Sequence, residues 1–341
     1  MWLLVLLSVM AMGLSQQIGV EIQLTRYALA KTQSKAAALS GLAYAKAQIA
    51  LAGPSGNSKE GETLYRCGFV LDEEQTPQDL FEDIEVGNNR FSVYYTLDRG
   101  LDSQERVFGF SDEESRLNLN GIGPQNYKIL SHLLVLMGQD QETADQISVS
   151  VVDWRDADNL ALDPAYGAED DYYLSLERPY PCKNGPFESI DEFLAVRGVT
   201  PDILTQLRPF LTIIPTEGAS VTVNPSTASR EVLLASARFS SKNASAEFSD
   251  ADSLVEKILL YRRGDDDRVA THDDRPARLI SMPLNSKENL IALLMQQQTL
   301  TQSSQYFRAR IKGQEPQTGV ATVIEAVIDR KNLSILSWNR R

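Results

Sequence analysis

The sequence has 341 residues, of which 43% are hydrophobic, and a formal net charge of −13; that is enough apolar content to bury a core in one large domain or two to three small ones. The acidic balance argues against a nucleic-acid binder, which needs a basic face to displace counterions, and provides no polybasic patch for an anionic membrane surface. Two cysteines, Cys67 and Cys182, and two distant histidines, His132 and His272, leave no thiolate zinc cluster and nearly exclude a histidine-rich metal site or triad.

Met1 to Val20 carries no charged side chain. The apolar part to Leu14 is about 21 Å long as a helix, and the uncharged run to Val20 reaches the roughly 30 Å of a bilayer core. From Glu21 onward the apolar positions Leu24, Ala28, Ala38, Leu42, Ala45 and Ile49 take helical spacing. Alanine-rich composition favours helix, and Gly53-Pro54 is a stop signal. One helix of about 50 residues is therefore expected. A cleaved signal peptide would not continue in this way and would open on Lys or Arg, so a retained anchor is favoured.

Thr63–Leu71 and Arg90–Leu97 then read as strands, as do Gln305–Ile311 and Val320–Asp329 near the far end, with a hairpin loop at Gly313 to Gly319. Between them lie short helical patterns: Gln125–Met137, Ser189–Arg197, Pro201–Phe210, Ala228–Ala235, Ser253–Arg262 and Lys287–Met295. Strands, then helices, then strands imply a helical insertion in an α+β domain. Leu119–Leu130 (LNGIGPQNYKIL) resembles a helix-hairpin-helix element, with a looser echo at Val196–Leu207. Acids flank both, so packing turns are favoured over phosphate binding.

From Asp153 to Glu177 the chain holds eight acids and one base, Arg155, among Trp154, Tyr166, Tyr172 and Tyr173. The spacing is not that of an EF-hand: from Asp153, position 6 is Asp158 and position 12 is Pro164. Asp153, Asp156 and Asp158 could converge with Glu169, Asp170 or Asp171 on calcium, which takes 6–8 hard oxygens; a solvated acidic loop fits the same residues. A second acidic run, Gly264–Asp274, has no aromatic anchors and reads as an exposed loop. His132 sits on an apolar helix and reads as a packed residue. Cys67 and Cys182 could form a disulfide or remain two free thiols.

Four segments together resemble the K-type minor pseudopilins of bacterial type II secretion systems, the general secretion pathway protein K family. They are the N-terminal helix, Asp112–Asn120 (DEESRLNLN), Val152–Thr212, and Val221–Ala235 with the ending SSQYFRARI…VIEAVIDR. The resemblance implies an α+β pilin-like fold, a long N-terminal helix on a small antiparallel sheet, with a large all-helical insertion. It divides the chain into a transmembrane part (1–23), a first pilin-like part (24–110), a helix-hairpin-helix or SAM-like part of the insertion (111–220), a second part (221–302) and C-terminal strands (303–341). It implies a non-enzymatic protein at the pseudopilus tip, helping to start assembly. Its globular part would lie in the periplasm, below an inner-membrane anchor.

The implied partners are the I- and J-type minor pseudopilins, other pseudopilins and the inner-membrane platform, with no nucleic acid. Structural calcium is implied too, with Asp153, Asp156 and Asp158 matching the family's DW-x-DAD acids and Glu169, Asp170 and Asp171 its GAED-x-YY acids. The family's basic leader is not in the sequence as it stands; position 5, where most pilins but not the K-type proteins carry Glu, is Val5, and the first carboxylate is Glu21. A secreted hydrolase and a helix-hairpin-helix nucleic-acid binder are the rival readings.

Overall fold

The computed structural model of the chain describes residues 1–51, 76–98, 104–265, 275–279, 282–301 and 303–340. The expected strand Thr63–Leu71, Cys67 and most of the second acidic run lie outside them.

A single helix, α1 (Trp2–Leu51), opens the chain. Its 50 residues extend about 75 Å at 1.5 Å per residue. Residues 2–29 are exposed throughout, and this end is long and apolar enough to cross a membrane. From Ala30 the helix buries one face, through Ser34, Ala37, Ala38, Gly41, Leu42, Ala45 and Ile49. Small residues on that face allow a close approach to a sheet.

A short helix α2 (Pro77–Phe81), capped by Thr76, precedes the strands β1 (Ile84–Val86), β2 (Asn89–Asp98), β3 (Gln104–Phe108) and β4 (Ser111–Asp112). The sheet closes with β7 (Tyr306–Gln314), β8 (Ala321–Asp329) and β9 (Ile335–Arg340), in the antiparallel order β1-β2-β7-β8-β9, with β3 on β2 and β4 on β7. Along β7 and the first part of β8 the buried residues alternate, as one covered face requires, and at Ala326–Ile328 three successive residues are buried. Phe91, Val93, Phe307, Ala309, Ile311, Ile324, Ala326 and Ile328 meet α1 in one core. Ser34 Oγ lies 2.8 Å from Thr322 Oγ1, and Lys31 Nζ donates to the Ala321 carbonyl at 3.2 Å. A Cβ on Gly313 would collide with the α1 backbone at Ala38 N and Ser34 O. This glycine sets the helix-to-sheet distance.

Between β4 and β7 the chain forms the helical insertion. Its first part contains β5 (Leu117–Asn118), α3 (Lys128–Leu136), α4 (Gln141–Arg155), α5 (Asp170–Tyr173), a 3₁₀ turn at Ile190–Ala195, α6 (Pro201–Leu207) and β6 (Leu211–Thr212), which pairs in parallel with β5. Its second part contains α7 (Arg230–Asn243), α8 (Phe248–Arg262) and α9 (Ser286–Gln298). Each part has its own core, one around Leu117, Leu133, Ile147 and Phe193, the other around Leu233, Leu254, Ile258 and Ile291. The α+β architecture with an inserted helical region thus stands as expected.

Two details of the insertion differ from the sequence reading. The strong helix α4 had no place in it, although Ala144, Ile147, Val151 and Trp154 follow helical spacing and Asp140 caps the start. Asp153 consequently lies in the last turn of a helix and not in a loop. The expected helix Ser189–Arg197 is a 3₁₀ turn, capped by Ser189 and Glu192.

The DEESR stretch joins the parts. Asp112 Oδ2 accepts from Thr227 Oγ1 at 2.5 Å and from Ser304 Oγ, tying the start of the insertion to its end. Glu113 is fully buried and accepts from Arg308 Nε at 2.5 Å, Arg116 Nη1 at 3.2 Å and Thr212 Oγ1 at 2.5 Å. Arg308 also donates to Glu325 at 2.8 Å. The Glu114 carbonyl accepts from Asn224 N at 2.7 Å, and its carboxylate accepts from Gln305 N. Burial opposes the Glu113 charge, but the Arg308 and Arg116 guanidinium groups and its hydrogen bonds outweigh burial and hold the pKa at about 2. Burial pushes Asp112 the other way, to about 6.

Two outcomes follow from these contacts. An open strand position would gain from Gly→Ala, since glycine costs about 0.5–1 kcal/mol in a strand. Gly313→Ala should instead destabilise by about 1–3 kcal/mol, the usual cost of overpacking, read as a lower urea midpoint. An unchanged or higher midpoint would disprove the close contact. A carboxylate depressed from 4.5 to about 2 stabilises the fold above pH 4.5, and that contribution is lost as pH falls towards 2. Glu113→Gln should therefore remove roughly 3 kcal/mol of acid sensitivity between pH 5 and 2, measured by denaturation across that range.

Candidate cation site

The acidic segment begins inside α4. Its buried stripe carries Trp154 into the core and leaves Asp153 in the last turn with no exposed surface. The helix ends at Asp156, whose N–H donates to the Val152 carbonyl at 3.0 Å while its own backbone is extended. A loop then returns to Glu169, which immediately precedes α5.

The Asp153 carboxylate ties this loop at two points. Oδ1 accepts from Leu162 N at 2.9 Å and Oδ2 from Ala168 N at 2.7 Å. Gly167 lies against it: a Cβ there would strike Asp153 Oδ2 and lie 2.8 Å from both Ala161 Cβ and the Asp163 carbonyl. Arg197 Nη1 donates to the Gly167 carbonyl at 2.8 Å, and its guanidinium stacks 4.7 Å over the Tyr172 ring. Trp154 and Tyr173 meet edge-on at 5.1 Å, and Tyr180 closes the cluster 5.4 Å from Tyr173. The rings pack under the loop and fix its ends.

Asp153, Asp156 and Glu169 converge, with one oxygen from each lying within 4.8 Å of the others. Glu169 is 6% exposed, yet neither carboxylate oxygen has a hydrogen-bond partner, and Asp156 Oδ1 is buried without one. Burial first, then the Asp153 and Asp156 charges, push Glu169 up to about 7. Burial and the Asp158 and Asp153 charges push Asp156 up to about 6, and burial raises Asp153. Arg155, the base within the segment, turns away: its guanidinium donates to the backbone carbonyls of Asn120 and Ile122. Arg155 thus forms no ion pair with these acids, and its charge only partly offsets the rise at Asp156. Their three hard-oxygen donors fit one divalent cation, which would satisfy the orphan oxygens and cancel the repulsion.

The other three candidates lie outside this cluster. Asp158 is exposed, and its Oδ1 accepts from Leu160 N at 2.8 Å in a local turn. Asp170 Oδ1 accepts from Cys182 N at 2.8 Å. Asp171 is exposed on α5. Six acids alike in sequence divide into three that converge and three outside that cluster. Reading α4 through to Trp154 would have placed Asp153 on its inward side; nothing in the spacing pointed to Gly167 or Cys182. Cys182 is a free, buried thiol, whereas Cys67 lies outside the described residues.

The helix-hairpin-helix-like turn serves packing. A Cβ on Gly121 would land on the Ser220 backbone, and the Gly121 carbonyl accepts from Asn126 Nδ2 at 3.1 Å. His132 is buried on α3, edge-on to Phe248 at 5.5 Å.

Residues 115–216, which contain this site, match the family described as type II secretion system (T2SS), protein K. The chain is 30% identical over 136 residues to the type II secretion system protein K of Pectobacterium carotovorum subsp. carotovorum, covering 36% of this chain and 41% of that protein. It is 30% identical over 164 residues to the protein of the same name from Aeromonas hydrophila, covering 47% and 46%. The chain thus spans under half the length of these relatives. A chain from the crystal structure of the GspK-GspI-GspJ complex of the enterotoxigenic Escherichia coli type 2 secretion system shares the fold. Its TM-score is 0.57, at 16% identity, covering 94% of this chain and 99% of that one. The resemblance read from the sequence holds: the central segment matches the type II secretion system protein K family, and the fold is shared with a chain of the GspK-GspI-GspJ complex over nearly the whole length.

Proposed function

We propose that the chain is a non-enzymatic minor pseudopilin at the tip of a type II secretion pseudopilus, where it helps to initiate assembly for export across the outer membrane. A protein K segment carried inside a pilin-like fold is the observation that supports this most strongly. The exposed apolar end of α1 would anchor the chain in the inner membrane, with the globular part in the periplasm. The related structure is of a complex with I and J proteins. Equivalent I- and J-type proteins would be the direct partners here, with other pseudopilins and the inner-membrane platform beyond them. Copurification of the full chain in detergent with coexpressed I- and J-type proteins tests this reading. A stable assembly of all three is expected, and a monodisperse monomer that ignores both would overturn it.

Asp153, Asp156 and Glu169 would hold calcium in this reading, with backbone carbonyls and water completing its shell. The bound ion supplies positive charge to a loop that otherwise collects negative charge. Asp158, Asp170 and Asp171 would shape the loop around it. Calcium should raise the unfolding midpoint and EDTA lower it. The stabilisation is about 2.7 kcal/mol at a concentration near 100 times Kd. Asp156→Ala combined with Glu169→Ala should abolish the shift. A shift that survives the double substitution would rule out these ligands, and no shift in the parent chain would rule out the site.

A further inference from the structure

Cys182 lies 6% exposed between α5 and the 3₁₀ turn at Ile190–Ala195, in a segment without helix or strand. Two contacts place it. Its N–H donates to Asp170 Oδ1 at 2.8 Å, and its Sγ donates to the Asp153 carbonyl at 3.6 Å. Both partners are tied to the acidic cluster: Asp153 is one of its carboxylates, and Asp170 directly follows Glu169. The thiol also shares the core that holds Trp154, Tyr173 and Phe187. Glu169, more than nine-tenths buried with both oxygens unpartnered, independently marks the cluster as a cation site.

We propose that the cation held by Asp153, Asp156 and Glu169 closes access to Cys182, which is a modification site for small disulfide oxidants when the cluster is empty. The inference rests on the cation reading above. Without a cation, three carboxylates within 4.8 Å of one another repel. Neither Glu169 carboxylate oxygen meets a hydrogen-bond donor at bonding geometry, so its side chain is weakly held, with the Cys182 thiol as its neighbour. Its displacement shifts the first residues of α5, including Asp170, and so loosens the anchor of the Cys182 N–H. In the opened state the thiol loses its proton to solvent and the thiolate attacks one sulfur of the oxidant. A protein–oxidant S–S bond forms, the oxidant's own S–S bond breaks, and its other half leaves as a thiolate. The disulfide is the only oxidant required.

The test uses the full chain in detergent with Cys67→Ser, labelled by an aromatic disulfide whose leaving thiolate is coloured. Calcium should slow labelling by a factor of about 1 + [Ca²⁺]/Kd, roughly a hundredfold near 100 times Kd. With Asp156→Ala and Glu169→Ala added, the rate should no longer respond to calcium. Ala251→Cys, in a Cys67→Ser/Cys182→Ser background, reports opening of the second helical core, where Ala251 is fully buried. It should stay slow with calcium or chelator. Equal Cys182 rates in both conditions, while calcium still raises the unfolding midpoint, would overturn the gate and leave the cation site standing. A matching response at Ala251→Cys would show whole-molecule unfolding and also overturn it. Failure of calcium to move the midpoint would remove both.

Discussion

A buried carboxylate joins the molecule. Glu113 has no exposed surface and accepts from Arg308 on the sheet, from Arg116 beside it and from Thr212 at the end of the first helical part. A charge in that position is tolerable only when paired and fully hydrogen-bonded. Its partners come from segments about 100 and 195 residues away. Their convergence couples the pilin-like sheet to the insertion. Asp112 and Glu114 reinforce the joint through Thr227, Ser304, Asn224 and Gln305, the residues at which the insertion's second part begins and ends. The sheet can carry nearly 200 residues of insertion because its entry and exit strands lie side by side, with β4 paired to β7.

The acidic loop poses the opposite problem. At Glu113 the protein supplies its own cations. At Glu169 it buries a carboxylate and leaves both oxygens without a partner. The nearest base in sequence, Arg155, spends its guanidinium on the Asn120 and Ile122 carbonyls, bracing α4 against the Gly121 turn. Aromatic packing under the loop and the two bonds to Asp153 hold the acids together against their repulsion. Calcium bound there would make the loop part of the folded architecture, and the Cys182 thiol behind it would be protected by the same ion.

Much of this was legible in the chain. The uncharged N-terminus and the alanine-rich stretch predicted α1 as one helix. Alternation in β7 and β8 predicted two strands, because one face is covered by α1. The aromatic and acidic residues after Val152 marked the candidate site, and the resemblance to K-type proteins agrees with the family match of the central segment. β9 was not legible, because it pairs with β8 alone and all six of its residues are exposed. Burial leaves no period in such a strand. α4 was hidden by its polar start and by an acidic end that looked like a loop.

The sequence by itself determined composition, periodicity and local chemistry: an anchor-length apolar helix, a strand–helix–strand order, and an acidic segment interleaved with rings. These are properties of neighbouring residues, and neighbours are what a linear pattern records. Only the tertiary structure decided which acids converge, because Asp153, Asp156 and Glu169 meet across a returning loop whose path depends on Gly167, Arg197 and the ring cluster. It also decided that Glu113 is a buried joint and Cys182 a shielded thiol. Those roles depend on burial and on partners up to 195 residues distant, which one-dimensional spacing does not encode.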